Sequence, residues 1–237
     1  HDAALYLCER GVVSGDAGTQ TLRPNDNITR GELSKAAFFG LYSNSNGVNV
    51  PNPLVTDYFP SIYPDLQNTT TYYYQAAKAL LYLEYGDGRS PFDRDRSCFD
   101  PSGTISRCLV LKVLLETFNI APLTSGTNVF DDYGPSGYGN SPFWGYAQKA
   151  YNLGIVQTTH FRPNDNCTRG EAFLYLYRIL IGIVNNTIPA PNPVNTESPA
   201  TSRFFIPANL SPEVVNAMRG VEYGNFNYYN KDFFNIP

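Results

Sequence analysis

The sequence predicts a mainly α-helical protein of three helix–loop–helix repeats, with long loops and an irregular C-terminal tail. Three observations predict it. A ten-residue stretch, Arg23-Pro24-Asn25-Asp26-Asn27-Ile28-Thr29-Arg30-Gly31-Glu32, returns as Arg162-Pro163-Asn164-Asp165-Asn166-Cys167-Thr168-Arg169-Gly170-Glu171 with one residue changed. A weaker copy lies between them, Phe99-Asp100-Pro101-Ser102-Gly103-Thr104-Ile105-Ser106-Arg107-Cys108-Leu109. Each copy is also flanked by apolar residues at helical spacing. Recurrence over tens of residues marks a repeat architecture, and the motif hydroxyls at 29, 106 and 168 stand 77 and 62 residues apart.

The motif itself reads as a turn that starts a helix. Proline fixes φ, and the Asx side chains bond nearby backbone donors. Thr29 with Glu32, and Thr168 with Glu171, have the spacing of a capping box. The middle copy keeps a capping hydroxyl at Ser106 but puts Leu109 where the box needs Glu. Helices are expected on Leu33, Ala36, Ala37 and Leu41, on Leu109 to Phe118, and on Phe173, Leu174, Leu176, Tyr177, Leu180 and Ile181.

The arginines need a further reason. Arg30, Arg107 and Arg169 each take the first helical position, where the macrodipole disfavours a cation by roughly 0.3–1 kcal/mol. One reading pairs each with an acidic residue of a neighbouring repeat, since the guanidinium fork suits carboxylates. The other makes the guanidinium and the helix-start amides a site for an anionic ligand.

In chain order, residues 1–48 form the first repeat. Ala3, Ala4, Leu5, Leu7 and Cys8 predict a short helix closed by Gly11, followed by Val12-Val13 and a Gly-rich loop. His1 opens directly on that helix with no lead-in, as expected of a chain that continues N-terminally. Residues 49–121 form the second, divergent repeat, with a helix from Tyr73 to Tyr85 and Gly86 as its stop. Residues 122–184 form the third, with Tyr146, Ala147, Ala150, Tyr151 and Leu153 as its first helix. Tyr63-Pro64-Asp65 and Phe130-Asp131-Asp132 precede the first helices of repeats two and three. Ser43–Ser61 and Thr124–Ser141 read as surface loops. Residues 185–237 are a Pro- and Asn-rich linker and an aromatic tail, with a short helix expected over Pro212–Arg219.

Composition narrows the function. The 237 residues suffice for a sizeable core. A net charge of −4 argues against nucleic acid, which needs a basic face. No apolar run is long enough to span a membrane. Eighteen tyrosines give a surface of flat faces and hydroxyls, of the kind that meets saccharides. No zinc-protease, nucleophile-elbow or phosphate-loop pattern is present. A polysaccharide-cleaving enzyme needs two carboxylates facing one cleft, and Glu32 and Glu171 are committed to capping. No catalytic residue, cofactor or metal is therefore expected. His160 has one other histidine in the chain to pair with, and the loop Asp93-Arg94-Asp95-Arg96-Ser97 lacks the Gly and Glu of a calcium loop. Cys8 and Cys167 fall at apolar positions and read as buried thiols. Cys98 and Cys108 bracket the second motif and either bridge, in an oxidising compartment, or remain free. Asn-x-Thr/Ser acceptor patterns occur at 27, 68, 166, 185 and 209.

The order of these features resembles the S-layer homology (SLH) family. Repeat three carries the resemblance along its length: Phe130-Asp131-Asp132, Phe143-Trp144-Gly145-Tyr146-Ala147, Gly154-Ile155-Val156, Phe161-Arg162-Pro163 and Cys167-Thr168-Arg169-Gly170-Glu171. Repeat one carries it in Leu22-Arg23-Pro24 and Ile28-Thr29-Arg30-Gly31-Glu32, repeat two in Phe99-Asp100-Pro101 and Ile105-Ser106-Arg107. The resemblance covers about residues 1–184. It implies three repeats about a pseudo-threefold axis, around a central helical bundle. It further implies a non-catalytic anchoring module on the cell-envelope surface, one part of a larger extracellular protein and monomeric itself. Grooves between repeats would bind cell-wall polysaccharide or a peptidoglycan-linked polymer, including pyruvylated sugar ends. On that resemblance Arg30, Arg107 and Arg169 hold the anionic carboxylate, and Trp144, Asp65 and Asp132 wall the grooves. The middle repeat departs from the family pattern at Cys108-Leu109, so a groove that depends on a glutamate there would be silent. The rival expectation is an assembly module that binds protein neighbours, with the arginines as internal salt bridges.

Overall fold

The computed structural model describes residues 2–16, 19, 21–44, 63–66, 73–83, 89–92, 97–134 and 143–191. These contain six helices: α1 (Asp2–Glu9), α2 (Arg30–Asn44), α3 (Tyr74–Tyr82), α4 (Arg107–Thr117), α5 (Trp144–Asn152) and α6 (Arg169–Val184). No strand is formed among the described residues, so the protein is mainly α as expected. Gly86, residues 93–96, the helix expected over 212–219, the aromatic tail and the acceptor sites at 68 and 209 lie outside the described residues.

The three helices that follow the motifs, α2, α4 and α6, pack against one another. Each shorter helix packs on one of them: α3 on α2, α5 on α4 and α1 on α6. So α1 covers the last long helix rather than the one that follows it. Helix α4 is buried nearly all round, from Arg107 to Thr117 with Leu109 half-buried, as an inner helix must be. Its Glu116, 1% exposed, accepts from the Tyr146 hydroxyl and, at 3.0 Å, from Arg89 Nη1. Burial pushes the Glu116 carboxyl up, against the pull of Tyr146, Arg89 and Lys112. That network ties α5 to α4.

Helix stops share one device. Gly11 (φ 67°), Asn119 (φ 59°), Gly154 (φ 71°) and Asn186 (φ 57°) are left-handed, and the next amide reaches back to a carbonyl of the last turn. Val12 N thus donates to Leu7 O at 2.9 Å, and Ile155 N to Ala150 O at 2.8 Å. Glycine adopts this conformation without strain, and asparagine tolerates it.

The core corrects some expectations. On α1, Leu7 is buried, but Leu5 is 51% exposed and Cys8 is exposed, because α1 packs through one side only. Cys8 is therefore no buried thiol, whereas Cys167 is one. All four cysteines, Cys98 and Cys108 included, are free. Leu174, Tyr177 and Ile181 fall on the half-buried side of α6, where Tyr177 meets Tyr6 of α1 edge to face at 5.2 Å. The linker does not leave at once. Thr187 N and Ile188 N both donate to Gly182 O, and Ile188 is 1% exposed against Gly182.

Candidate functional site

The motifs meet one another directly. Arg30 N donates to Gly103 O and Gly31 N to Pro101 O; Arg107 N donates to Asp165 O and Cys108 N to Pro163 O; Arg169 N donates to Asp26 O and Gly170 N to Pro24 O, all at 2.8–3.1 Å. The first helix start thus rests on the second turn, the second on the third and the third on the first. Ile28, Ile105 and Cys167, one from each motif, are buried at the centre of this closed circuit. Ile28 N donates to Cys167 O and Cys167 N to Ile105 O, both at 2.9 Å. At Gly170 the approach is close enough that an added Cβ would stand 2.9 Å from Pro24 O.

The left-handed residues before each motif proline, Arg23 (φ 44°), Asp100 (φ 56°) and Arg162 (φ 53°), aim the turns into this circuit. Asp65 and Asp132 hold two of them. Asp65 accepts from Phe99 N (2.9 Å) and Asp100 N (2.6 Å), and Asp132 accepts from Phe161 N (2.9 Å) and Arg162 N (2.5 Å). Both carboxylates are thus engaged with backbone behind the motifs. Trp144 is 4% exposed and donates from Nε1 to Asn128 Oδ1 at 2.9 Å; Asn128 in turn bonds Phe130, which leads into Asp131-Asp132.

The capping boxes form at two motifs. Thr29 N donates to Glu32 Oε2 and Glu32 N to Thr29 Oγ1. Thr168 and Glu171 make the same reciprocal pair. Ser106 is a correction: it takes the N-cap backbone conformation, but its hydroxyl makes no cap bond and lies 3.3 Å from Cys108 Sγ. With no Glu at 109 to reach back, nothing local fixes that hydroxyl toward the helix.

The arginines sit where successive motifs join, all 5–6% exposed. Arg169 donates from Nε to Leu22 O at 2.8 Å and pairs through Nη1 with Glu32, the capping glutamate of the first motif. Arg107 donates from Nε (3.0 Å) and Nη2 (2.7 Å) to Glu171, the capping glutamate of the third. Its Nη1 has no hydrogen-bond partner and stands 3.4 Å from Asp165 Oδ2. Arg30 donates from Nε to Phe99 O at 2.6 Å, and its guanidinium lies over the Phe92 and Phe99 rings at 5.0 and 4.9 Å. The residue matching Glu32 and Glu171 at this junction is Leu109.

Burial opposes the charge on Arg107 and Glu171. The pair outweighs it, holding Arg107 above its ordinary pKa and, together with the Thr168 amide, Glu171 below the usual carboxylate range. The helix-start amides are a second correction. The first two of each motif helix are spent on neighbouring turns and, at the first and third, the next is spent on the capping threonine. They cannot also hold a ligand anion.

Lys35 joins the site without being among the residues expected there. It stands five residues after Arg30, as Lys112 stands five after Arg107, which was a legible signal. Lys112 is buried on Ser90 O and Pro91 O. Lys35 is half-buried with Nζ 3.4 Å from Ser14 Oγ, and burial together with the charge of Arg169 pulls it down to about 8. The charge of Arg169, itself paired with Glu32, thus reaches Lys35 where the first and third motifs join. A separate pocket, lined by Phe118, Ile120, Lys149, Leu153 and Pro189, opens at the far end of α4 from Arg107. Among the described residues one group has metal-ligand character: Asp131, Asp132 and His160, whose donor atoms lie within 4.8 Å of one another.

The S-layer homology domain model matches the chain at residues 2–34 and 137–173, which hold the first and third motifs. The divergent second motif lies outside both matches. No curated protein gives a significant match. SLH domains are in general cell-wall anchoring modules. None of the described helices is long and apolar enough to cross a membrane.

Proposed function

We propose that this chain is an SLH-type anchoring module of three repeats, the second divergent, that binds an anionic cell-wall polysaccharide in grooves between repeats. The observation that carries the reading is Lys35, half-buried beside Ser14 where the first and third motifs join and near enough to Arg169, itself paired with Glu32, for that charge to act on it. Like charges held together in a half-buried place favour an anion between them, and a ketal carboxylate of a pyruvylated sugar end has the right chemistry. Arg30 and Arg107 stand at the corresponding places on the other junctions. Asp65, Asp132 and Trp144 would shape the groove walls from behind, through the backbone they hold. The closed circuit of hydrogen bonds supports a pseudo-threefold arrangement of the repeats.

A second reading is favoured by the ion pairs Arg107–Glu171 and Arg169–Glu32. In it the arginines are internal cross-links and the repeats bind protein neighbours. Co-sedimentation with isolated wall sacculi, before and after acid stripping of the attached polymers, tests the two. The anchoring reading expects pelleting that is lost on stripping and weakened in Lys35→Met, a variant whose thermal melt shows it folded. It also expects binding to weaken as pH rises through about 8, where Lys35 sheds its charge. Absence of pelleting with the native wall would overturn it in favour of protein assembly.

A further inference from the structure

We propose that Asp131, Asp132 and His160 form a binding site for a divalent first-row transition metal, on the loops of the third repeat. The site lies outside the motif junctions and does not depend on the anchoring reading. His160 Nδ1 stands 2.8 Å from Asp131 Oδ1 and 3.7 Å from Asp132 Oδ2, spacings that ligands of one metal ion adopt. One imidazole and two carboxylates are a donor set that manganese, iron, cobalt or zinc accepts, with positions left open for water. His160 and Asp131 are exposed, so an ion has access, and Asp132 is half-buried at the base.

The internal repeats separate what the turn requires from what has been added. Asp132 does for Phe161 and Arg162 what Asp65 does for Phe99 and Asp100, so this aspartate belongs to the fold. The other two ligands are not part of that device. Pro64 stands where Asp131 stands, and Cys98 stands where His160 stands, and the second turn forms all the same. Both extra ligands occur together in one repeat, 29 residues apart in the chain, and the fold brings them to a shared aspartate. The two loops are joined through the backbone as well, by Asp131 N donating to Thr159 O at 3.1 Å, and the Thr158 hydroxyl holds the His160 amide at 3.2 Å within its own loop. The donor atoms therefore need little rearrangement to close on an ion. The competing account is an exposed His160–Asp131 ion pair and nothing more.

The test is a titration of the full chain, isotopically labelled, with substoichiometric Mn²⁺ read by amide NMR, repeated with Zn²⁺ by calorimetry. The site-resolved readout keeps any metal taken up by the exposed thiols or by His1 apart from this site. Expected is paramagnetic broadening first at residues 131, 132 and 160–162. In Asp131→Asn and in His160→Ala, exposed positions whose loss leaves the Asp132 bonds intact, affinity should fall at least about tenfold. Broadening that does not localise there, or that persists unchanged in both variants, would overturn the site and leave the ion pair.

Discussion

The second motif and the other two start the same kind of helix by different means. Motifs one and three cap themselves with Thr and Glu, and each offers that Glu to the arginine of another motif. The second does neither: the Ser106 hydroxyl turns to Cys108, and Leu109 replaces the glutamate. Yet Arg107 N and Cys108 N make the same bonds to the next turn that their counterparts make. The circuit of backbone bonds between motifs is thus sufficient to place a helix start. The capping box adds stability and, through its free oxygen, an ion pair.

The largest effects should come from breaking those pairs. Arg169→Ala leaves Glu32, 15% exposed, without its strongest partner and strands Leu22 O. It should cost about 3 kcal/mol in urea unfolding, as for other broken buried pairs. Arg107→Ala should cost less, about 2 kcal/mol, because Glu171 is 30% exposed and regains water. Equal losses would show that the carboxylates matter little and the arginine stems pack alike.

A smaller effect with a distinct pH signature belongs to Glu171. Its folded pKa is depressed, so its stabilisation is present above the unfolded value of about 4.3 and is lost as pH falls through the folded value. Glu171→Gln should therefore cost about 1.5 kcal/mol at pH 7, and the gap from the parent chain should close at lower pH. A gap that stays constant from pH 7 down to pH 3 would mean that the loss is packing and not charge.

Local structure was legible wherever the cause was local. The Pro-Asn-Asp turns, the Thr–Glu boxes and the glycine stop at 11 depend on neighbours within a few residues, and they form as the spacing requires. The arginine partners were legible only as a class. Glu171 is 64 residues from Arg107, and Glu32 is 137 from Arg169. Nothing in either segment says which motifs will join. The same distance hid the fate of the helix-start amides, read as open to a ligand but spent on turns of other motifs. Cys8 is exposed despite its apolar spacing because that spacing gives the face of a helix, not how much of that face a partner covers. Asp65, Asp132 and Trp144 are expected, on the family resemblance, as groove walls. Their bonds to Phe99, Phe161 and Asn128 could not be foreseen, since each runs to a residue outside its own segment.

The finest test of the comparison uses the two hydroxyls at equivalent positions. Thr168 accepts from Glu171 N at 3.2 Å in a complete box, whereas Ser106 makes no cap bond. Thr168→Ala should then cost about 1 kcal/mol, the usual loss for an N-cap acceptor. Ser106→Ala should change stability by no more than about 0.5 kcal/mol, because only the contact with Cys108 Sγ is lost. Chemical unfolding of both variants at equal ionic strength measures the difference directly. Matching costs would mean that the Ser106 hydroxyl caps the helix in solution, so that all three motifs start alike and only the glutamate distinguishes them. A cost confined to Thr168 would establish that the neighbouring turn alone can start α4.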